Sequence, residues 1–185
     1  HIFPILGRRL DAATMETRLQ RKRGLYMALL DADKVALPGV ATFARLASAR
    51  WPLAICSAAI RAEVEHLART LGIRDCYSVS VTAEDVAATK PDPQGYLMTL
   101  RRLNETGRFK GRPLIADQCL VIEDSVPGIA AARAAGMTVL AVATSHSPAE
   151  LTAADRVIAN LEGVDAAMAL ALYDEAQAGR HKTMG

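Results

Sequence analysis

The sequence has little of what marks a membrane protein or a nucleic-acid binder. No apolar run approaches the roughly 20 residues that a membrane span needs, and the first residues lack the layout of a signal peptide. Lys plus Arg exceeds Asp plus Glu by only two, 22 against 20, and neither sign forms a long block. We therefore expect no membrane and no nucleic-acid partner, and the expected partner is a small molecule.

Cysteine is also scarce. Cys56, Cys76 and Cys119 are odd in number, follow no CxxC spacing and lie in apolar runs. This usage favours buried thiols over a disulfide or a zinc site, and it is typical of proteins in a reducing compartment. The sequence thus predicts a cytoplasmic protein, and it carries no clear mark of an oligomeric state.

What the sequence does contain indicates a folded α/β domain. Hydrophobic residues make up 51% of the 185 residues, enough to bury a core. Short apolar runs alternate with segments of helical periodicity, which predicts a doubly wound, Rossmann-like parallel sheet with helices on both faces. Leu46 and Leu97 are expected to face the core. The predicted strands are 52–57, 77–81, 120–122, 138–142 and 156–158, and the predicted helices are 11–30, 39–49, 60–71, 94–103, 128–135 and 164–178.

Three groups of polar residues stand out against this frame. Ser57 follows the run LAIC, Lys90 lies in the segment TKPDP, and Glu123-Asp124-Ser125 closes the run CLVI. Ligands of doubly wound sheets bind beyond the carboxyl ends of the strands. These residues are therefore the candidate site.

Ser57 and Lys90 each have a chemical and a structural interpretation. Ser57 offers a hydroxyl where a helix N-terminus favours an anion, or it caps the N–H of Ala59 or Ile60. Lys90 precedes Pro91 on a stiff loop, where a fixed ammonium can neutralise a phosphate oxygen and a neighbouring carboxylate. Its structural alternative is a solvated loop charge.

The acidic pair Glu123-Asp124 is harder to explain by structure alone. Burying unpaired carboxylates is costly, whereas a hard cation such as Mg²⁺ accepts oxygen ligands of this kind. Ser125 is placed to orient the two acids. The structural alternative is an N-cap for the following helix, so a metal site and a cap both stay open at this point.

Taken together, these segments resemble a known family. Ser57 and Lys90 are 33 positions apart, and Lys90 and Glu123 are again 33 apart. The segments LPGV, LAICSA, KPDP and VIEDSVPGIAAARAAGM occur in this order. They resemble the second, third and fourth signatures of the haloacid dehalogenase superfamily, in the branch that holds phosphoglycolate phosphatases and β-phosphoglucomutases. The resemblance runs from about Leu10 to Leu161.

The resemblance implies a role for each candidate residue. Phosphoryl transfer in that family consists of positioning and charge neutralisation. The family's Lys–Pro bond is sometimes cis, which makes the bond before Pro91 one to inspect. By resemblance, Ser57 and the backbone N–H of Ala58 bind the transferring phosphoryl group, Lys90 pairs with that group and with the nucleophile, and Asp124, aided by Glu123, holds Mg²⁺.

The resemblance also divides the chain. Residues 1–33 look like the C-terminal part of a helical cap, and residues 34–185 look like the α/β core. Family members carry an Asp-x-Asp pair on their first strand, where the first Asp attacks phosphorus and the second acts as general acid and base. Asp31-Ala32-Asp33 has that spacing, but Lys34-Val35 follows it in place of Gly-Thr, and it lies only 24 positions before Ser57.

A second candidate for the first strand is residues 2–7, which would place Pro4 and Leu6 where both aspartates belong and imply a dead enzyme. Pro4 also lacks the N–H that a central strand must donate.

We prefer the cap interpretation, with the nucleophile-bearing segment absent from this sequence. In the family the first strand lies between the strands that end in Ser57 and Glu123, so its absence opens two sheet edges. We expect further residues upstream or a separate piece of chain there.

The expected function is Mg²⁺-dependent hydrolysis of a small phosphate monoester, a sugar phosphate or a phosphoglycolate-like acid, through an aspartyl-phosphate. A phosphomutase uses the same residues and is the nearest alternative. A metal-free dehalogenase has no need for Glu123-Asp124. A catalytically inactive module that binds phosphate or a protein is the alternative from a different class.

Overall fold

The computed structural model describes residues 37–109 and 111–182, together with positions 11, 13, 14, 17, 18, 20, 21 and 24. The chain divides into two compact units, His1–Val35 and Ala36–Gly185. The aspartate pair at 31–33 and the alternative first strand at 2–7 lie outside the described residues.

In the first unit, the described positions from 13 to 24 are helical, within the helix predicted over 11–30. Asp11 precedes them, and its carboxylate accepts from the backbone N–H of Thr14 at 2.8 Å and from the Thr14 hydroxyl at 2.7 Å. An acidic side chain bonded to the N–H three residues further on is a typical N-cap. It stabilises the start of this helix.

The described strands of the second unit are all parallel and form two sheets. The first sheet pairs β1 (Leu53–Cys56) with β2 (Tyr77–Val81), and the second has the order β3 (Leu120–Glu123), β4 (Thr138–Val142), β5 (Arg156–Ile158). Within residues 37–109 and 111–182, β1 has no strand partner besides β2, and β3 has none besides β4. The β1–β2 register brings Cys56 beside Val81, and the β3–β4 register brings Glu123 beside Ala141.

The helices of the second unit's described residues cover the strands. They are α1 (Val40–Ser48), α2 (Arg61–Thr70), α3 (Gln94–Glu105), α4 (Val126–Ala134) and α5 (Ala166–Lys182), with short 3-10 turns at Arg74–Cys76, Ala116–Gln118 and Pro148–Glu150. α3 packs against β1 and β2, whereas α4 and α5 pack against β4. None of the described helices is both long and apolar enough to span a bilayer.

β4 is covered on both faces. All five of its residues are buried. Val139 and Ala141 belong to a cluster with Ile129 of α4, and Val142 belongs to another with Ala169 of α5. A parallel strand buried on both faces is what a doubly wound sheet requires. The predicted Rossmann-like α/β architecture is therefore confirmed.

The glycine of the LPGV segment, Gly39, is required by the local structure. Gly39 adopts a φ of 84°, in the left-handed region that favours glycine. A Cβ on Gly39 would also overlap with the backbone carbonyl of Leu161. The glycine thus lets the start of α1 approach this second chain segment closely.

Most predicted element ends are right to within two residues, and β2, β4 and β5 match at both ends. Two predicted core residues are wrong, because Leu46 and Leu97 are each 46% exposed. In α3 the buried positions are Tyr96, Thr99 and Leu103, which follow the i, i+3, i+7 spacing of one helix face. The thiols of Cys56, Cys76 and Cys119 are free, as predicted, but half-buried rather than buried.

Candidate active site

The candidate residues lie where β1, β2 and β3 end. Two backbone hydrogen bonds continue the β1–β2 ladder beyond the strands, from Ser57 N–H to the Val81 carbonyl at 2.9 Å and from Ala83 N–H to the Ala59 carbonyl at 3.0 Å. The loops that follow β1 and β2 are therefore held side by side. Lys90 lies further along the second loop, and its peptide bond to Pro91 is cis.

Lys90 connects the ends of the two sheets. Its ammonium donates to the carboxylate of Glu123, at the end of β3, and to the backbone carbonyl of Cys56, at the end of β1, at 3.3 Å. The side chains of Lys90 and Glu123 are 18% and 7% exposed. The structure thus brings the predicted lysine and one predicted acid into a nearly buried ion pair.

The Glu123 carboxylate accepts hydrogen bonds on both oxygens. Oε1 accepts from Lys90 and from the Tyr96 hydroxyl at 3.1 Å. Oε2 accepts from the Asp124 N–H at 2.9 Å and from the N–H and hydroxyl of Ser125, each at 3.0 Å. Burial alone raises the pKa of Glu123, but the Lys90 charge and the bonds from Lys90 and Ser125 outweigh it, so this pKa lies below its usual range. Glu123 is therefore ionised at neutral pH.

Gly128 is part of the same arrangement. It lies in the first turn of α4, and its N–H donates to the Ser125 hydroxyl at 3.1 Å. A Cβ at Gly128 would overlap with the Glu123 carboxylate carbon and oxygens. Ser125 is therefore the N-cap of α4, the structural alternative considered for this segment. Because glycine has no side chain, Gly128 leaves room for the Glu123 carboxylate.

Asp124 is held from the loop after β4. The Ser145 hydroxyl donates to Asp124 Oδ2, and His146 Nδ1 lies 3.0 Å from the Asp124 backbone oxygen. Ser145 and His146 were not among the site residues predicted from the sequence. They come shortly after β4, the next strand along the chain, so the rule that selected the other strand ends could have found them.

Ser57 occupies a turn before α2, not the start of that helix. α2 begins at Arg61 with Ile60 as its N-cap, which corrects the predicted position. The Ser57 oxygen accepts from the Ala59 N–H at 3.1 Å within this turn, so Ser57 is not the helix cap of the structural interpretation. Its hydroxyl proton is left to donate elsewhere. Ala58 is exposed, and in the described part of the chain its N–H is bonded to no acceptor.

The loop between β2 and Lys90 is anchored by Asp85. Asp85 Oδ2 accepts from the backbone N–H of Thr82 at 2.8 Å and from the Arg61 guanidinium at 2.7 Å, and Oδ1 accepts from Arg102 at 2.9 Å. Asp85 was not predicted from the sequence either. Because Arg61 lies on α2 and Arg102 on α3, one carboxylate ties the loop to two helices.

A comparison with known proteins identifies the family. The sequence model of the family described as haloacid dehalogenase-like hydrolase matches residues 5–136. The chain belongs to this family.

The relatives place this haloacid dehalogenase-like chain in the phosphatase and phosphomutase branch. It is 38% identical over 140 residues to the bifunctional riboflavin kinase/FMN phosphatase of Arabidopsis thaliana, covering 74% of this chain and 34% of that protein. It is 35% identical over 135 residues to Protein CbbY of Rhodobacter capsulatus, covering 70% of this chain and 53% of that protein. The chain spans between about a third and about half of the length of such curated relatives.

Solved structures give the same fold. β-Phosphoglucomutase from Clostridium difficile superposes with a TM-score of 0.73 at 22% identity, covering 90% of this chain and 70% of that one. A mutant of CbbY from Rhodobacter sphaeroides, in complex with xylulose-(1,5)bisphosphate, superposes with a TM-score of 0.68 at 26% identity, covering 84% and 67%. These neighbours confirm a haloacid dehalogenase-like core.

The described residues of this haloacid dehalogenase-like core fit a Mg²⁺ ion through Asp124. Within the described residues no cluster of three or more His, Cys, Asp or Glu side chains is placed to hold a metal. Mg²⁺ is commonly bound by one or two carboxylates, with water and substrate phosphate completing its shell. Both Glu123 oxygens already accept from protein donors, so Asp124 fits a direct ligand role better than Glu123.

Asp85→Asn is expected to lower stability at neutral pH and to flatten its decline in acid. The hydrogen bond from Arg102, followed by those from Thr82, holds the pKa of Asp85 well below its usual range. A depressed folded-state pKa stabilises the protein above the unfolded pKa of about 4, and this contribution fades as the pH falls below it. Losing charge-assisted bonds should cost roughly 2 kcal/mol at pH 7.

Urea unfolding of wild type, Asp85→Asn and Asp174→Asn at neutral and acidic pH checks this prediction. Asp174 is an exposed residue of α5 and serves as the matched control. Equal losses of stability on acidification in wild type and Asp85→Asn would show that the Asp85 network contributes nothing.

Proposed function

We propose that this protein hydrolyses small phosphate monoesters in a Mg²⁺-dependent reaction, with Ser57, Ala58 and Lys90 binding the phosphoryl group. The observation that carries the proposal is the position of the Lys90 ammonium, fixed between the Cys56 carbonyl and the Glu123 carboxylate beside the Ser57 turn. An ammonium has three N–H donors. Two of them are occupied here by described residues, which leaves one for a phosphoryl oxygen.

Three donors of different kinds would then converge on one anion. The Ser57 oxygen accepts from Ala59, so its proton is free to donate, and the Ala58 N–H lies in the same turn. Phosphoryl transfer spreads charge over the equatorial oxygens of the transferring group. Fixed donors aimed at those oxygens are the main way in which a protein accelerates such a reaction.

Asp124 would hold the Mg²⁺ ion, and Ser145 and His146 would orient the Asp124 carboxylate. Glu123 would aid the site indirectly, by holding Lys90 in place. When bound, the ion supplies positive charge that neutralises the phosphoryl oxygens. Ser145 fixes one carboxylate oxygen of Asp124 and His146 contacts its backbone oxygen. Asp124 therefore presents its other oxygen, Oδ1, in a defined direction.

The attack on phosphorus is assigned to none of these residues. By resemblance to the family, an aspartate carboxylate takes the phosphoryl group, the alcohol leaves, and water then releases phosphate. The residues described at 37–109 and 111–182 contain no Asp-x-Asp pair. Ser57, Lys90 and Asp124 thus account for binding and charge neutralisation, and the nucleophile belongs to a different segment.

The names of relatives support a small phosphorylated metabolite as the substrate. Among them are the FMN phosphatase activity of the Arabidopsis protein and the validoxylamine A 7'-phosphate phosphatase of Streptomyces hygroscopicus subsp. limoneus, which is 32% identical over 120 residues. The CbbY structure from Rhodobacter sphaeroides holds a sugar bisphosphate. A polyol or sugar phosphate is the class that these names share.

The test is release of inorganic phosphate from para-nitrophenyl phosphate and a panel of sugar phosphates by the protein in a form that includes the nucleophile-bearing segment, with Mg²⁺ and with a chelator. We expect release with Mg²⁺ and little with the chelator. Ser57→Ala should lower kcat by about a hundredfold, the usual loss for one transition-state donor. Ser48→Ala, which removes a hydroxyl bonded within α1, is the control and should leave the rate unchanged.

Two other outcomes would contradict the proposal. Conversion of a sugar phosphate to its isomer without release of phosphate would indicate a phosphomutase. Halide release from a halo-acid that a chelator leaves unchanged would indicate a dehalogenase.

A further inference from the structure

Tyr96 is a buried polar residue that the proposed function does not use. It lies in the first turn of α3 and is 6% exposed. Its hydroxyl is 3.1 Å from Glu123 Oε1, and the centre of its ring lies 5.0 Å from the Lys90 ammonium. One aromatic side chain therefore contacts both members of the central ion pair.

The two contacts act on different degrees of freedom. A lysine ammonium sits on a flexible four-carbon stem, and one carboxylate partner alone leaves it free to swing. The face of the Tyr96 ring attracts the cation, while the hydroxyl fixes the oxygen that Lys90 shares. The Cys56 carbonyl adds a third contact from the β1 side.

The direction of the Tyr96 hydrogen bond is also defined. Burial, together with the nearby Glu123 charge, raises the pKa of the Tyr96 hydroxyl well above its usual range. The phenol therefore stays protonated and donates to the ionised carboxylate. A hydrogen bond to a charged acceptor in a buried setting is stronger than a neutral one.

We propose that Tyr96 is a positioning residue that fixes Lys90 for phosphate binding, through its hydroxyl on Glu123 and its ring beside the ammonium. The inference rests on the proposed function, since it concerns the same phosphate site. Tyr96 contacts no reacting group itself. Its effect reaches the phosphoryl group through Lys90.

The test is isothermal titration of the full chain with inorganic phosphate, at a temperature below the unfolding transition of every variant. Tyr96→Phe keeps the ring and removes the hydroxyl, and it should weaken phosphate binding by roughly fivefold or more. Tyr173→Phe is the matched control, because the Tyr173 hydroxyl donates to the Asp117 carbonyl at 2.7 Å and touches no site residue. It should change affinity by less than about twofold.

A double-mutant cycle separates positioning from a general effect on folding. In a Lys90→Met background no ammonium is left to position, so Tyr96→Phe should then change phosphate affinity by less than about twofold. An equal loss in both backgrounds would overturn the inference, as would an unchanged affinity in Tyr96→Phe alone. If the wild-type chain binds no phosphate, or if Lys90→Met and Ser57→Ala bind it normally, the proposed function itself fails and the inference with it.

Discussion

Replacing Gly128 with alanine is expected to lower the free energy of unfolding by about 3 to 5 kcal/mol, a large share of the total for a domain of this size. The added Cβ would overlap with the Glu123 carboxylate, so the carboxylate must leave its position. Its departure would strip the nearly buried Lys90 ammonium of its partner and leave the Ser125 N–H unbonded. We expect loss of phosphate hydrolysis together with loss of stability.

Chemical denaturation and phosphate release together measure the effect of Gly128→Ala. Gly179→Ala is the matched control, because Gly179 is also a helical glycine and, among the described residues outside its own helix, an added Cβ there would meet no atom within 4 Å. Alanine is the better helix former, so this variant should be equally stable or up to about 1 kcal/mol more stable. A Gly128→Ala protein as stable and active as wild type would show that Glu123 does not occupy this position.

Lys90→Met is expected to weaken phosphate binding by at least about a hundredfold and to lower stability by about 3 to 5 kcal/mol. Methionine keeps much of the lysine volume without its charge. The phosphate site then loses its cation, and the Glu123 carboxylate stays buried without an opposite charge. Binding and stability fall for separate reasons, so a second substitution can separate them.

Lys90→Met combined with Glu123→Gln provides that separation. A neutral amide costs less to bury than a carboxylate, so the double variant should regain most of the lost stability and none of the phosphate binding. Arg101→Met controls for the change in net charge, since Arg101 is an exposed residue of α3. Phosphate binding in the double variant close to that of wild type would exclude Lys90 from the anion site.

The sequence predicts the elements of the fold well because most strands are short apolar runs, or alternate apolar with polar residues, and have clear ends. Tyr77–Val81 and Thr138–Val142 match their predicted bounds for this reason. Side-chain burial within helices is predicted less well. Leu97 is exposed although it is apolar, because Tyr96, Thr99 and Leu103 set the face of α3 that meets the strands. That face is chosen by packing, which helical spacing alone does not determine.

In the candidate site, too, some residues can be predicted from the sequence and others cannot. Strand ends in a parallel sheet share one edge, so Ser57 and Glu123 could be selected from the sequence. Tyr96, which donates to Glu123, and Gly128, which leaves it room, could not be selected, because Tyr96 follows the apolar pattern of a core residue and Gly128 resembles an ordinary helix glycine. The contact of Lys90 with both strand ends depends on the path of its loop, which Asp85 anchors through side chains far apart in sequence.

A crystal structure of the protein with orthovanadate or tungstate, which mimic phosphate, would show whether Ser57, Ala58 and Lys90 bind one anion together. We expect one oxyanion within hydrogen-bonding distance of the Ser57 hydroxyl, the Ala58 N–H and the Lys90 ammonium, with Glu123 still paired to Lys90. An oxyanion bound elsewhere, or a Lys90 side chain directed away from it, would contradict the proposed phosphate site.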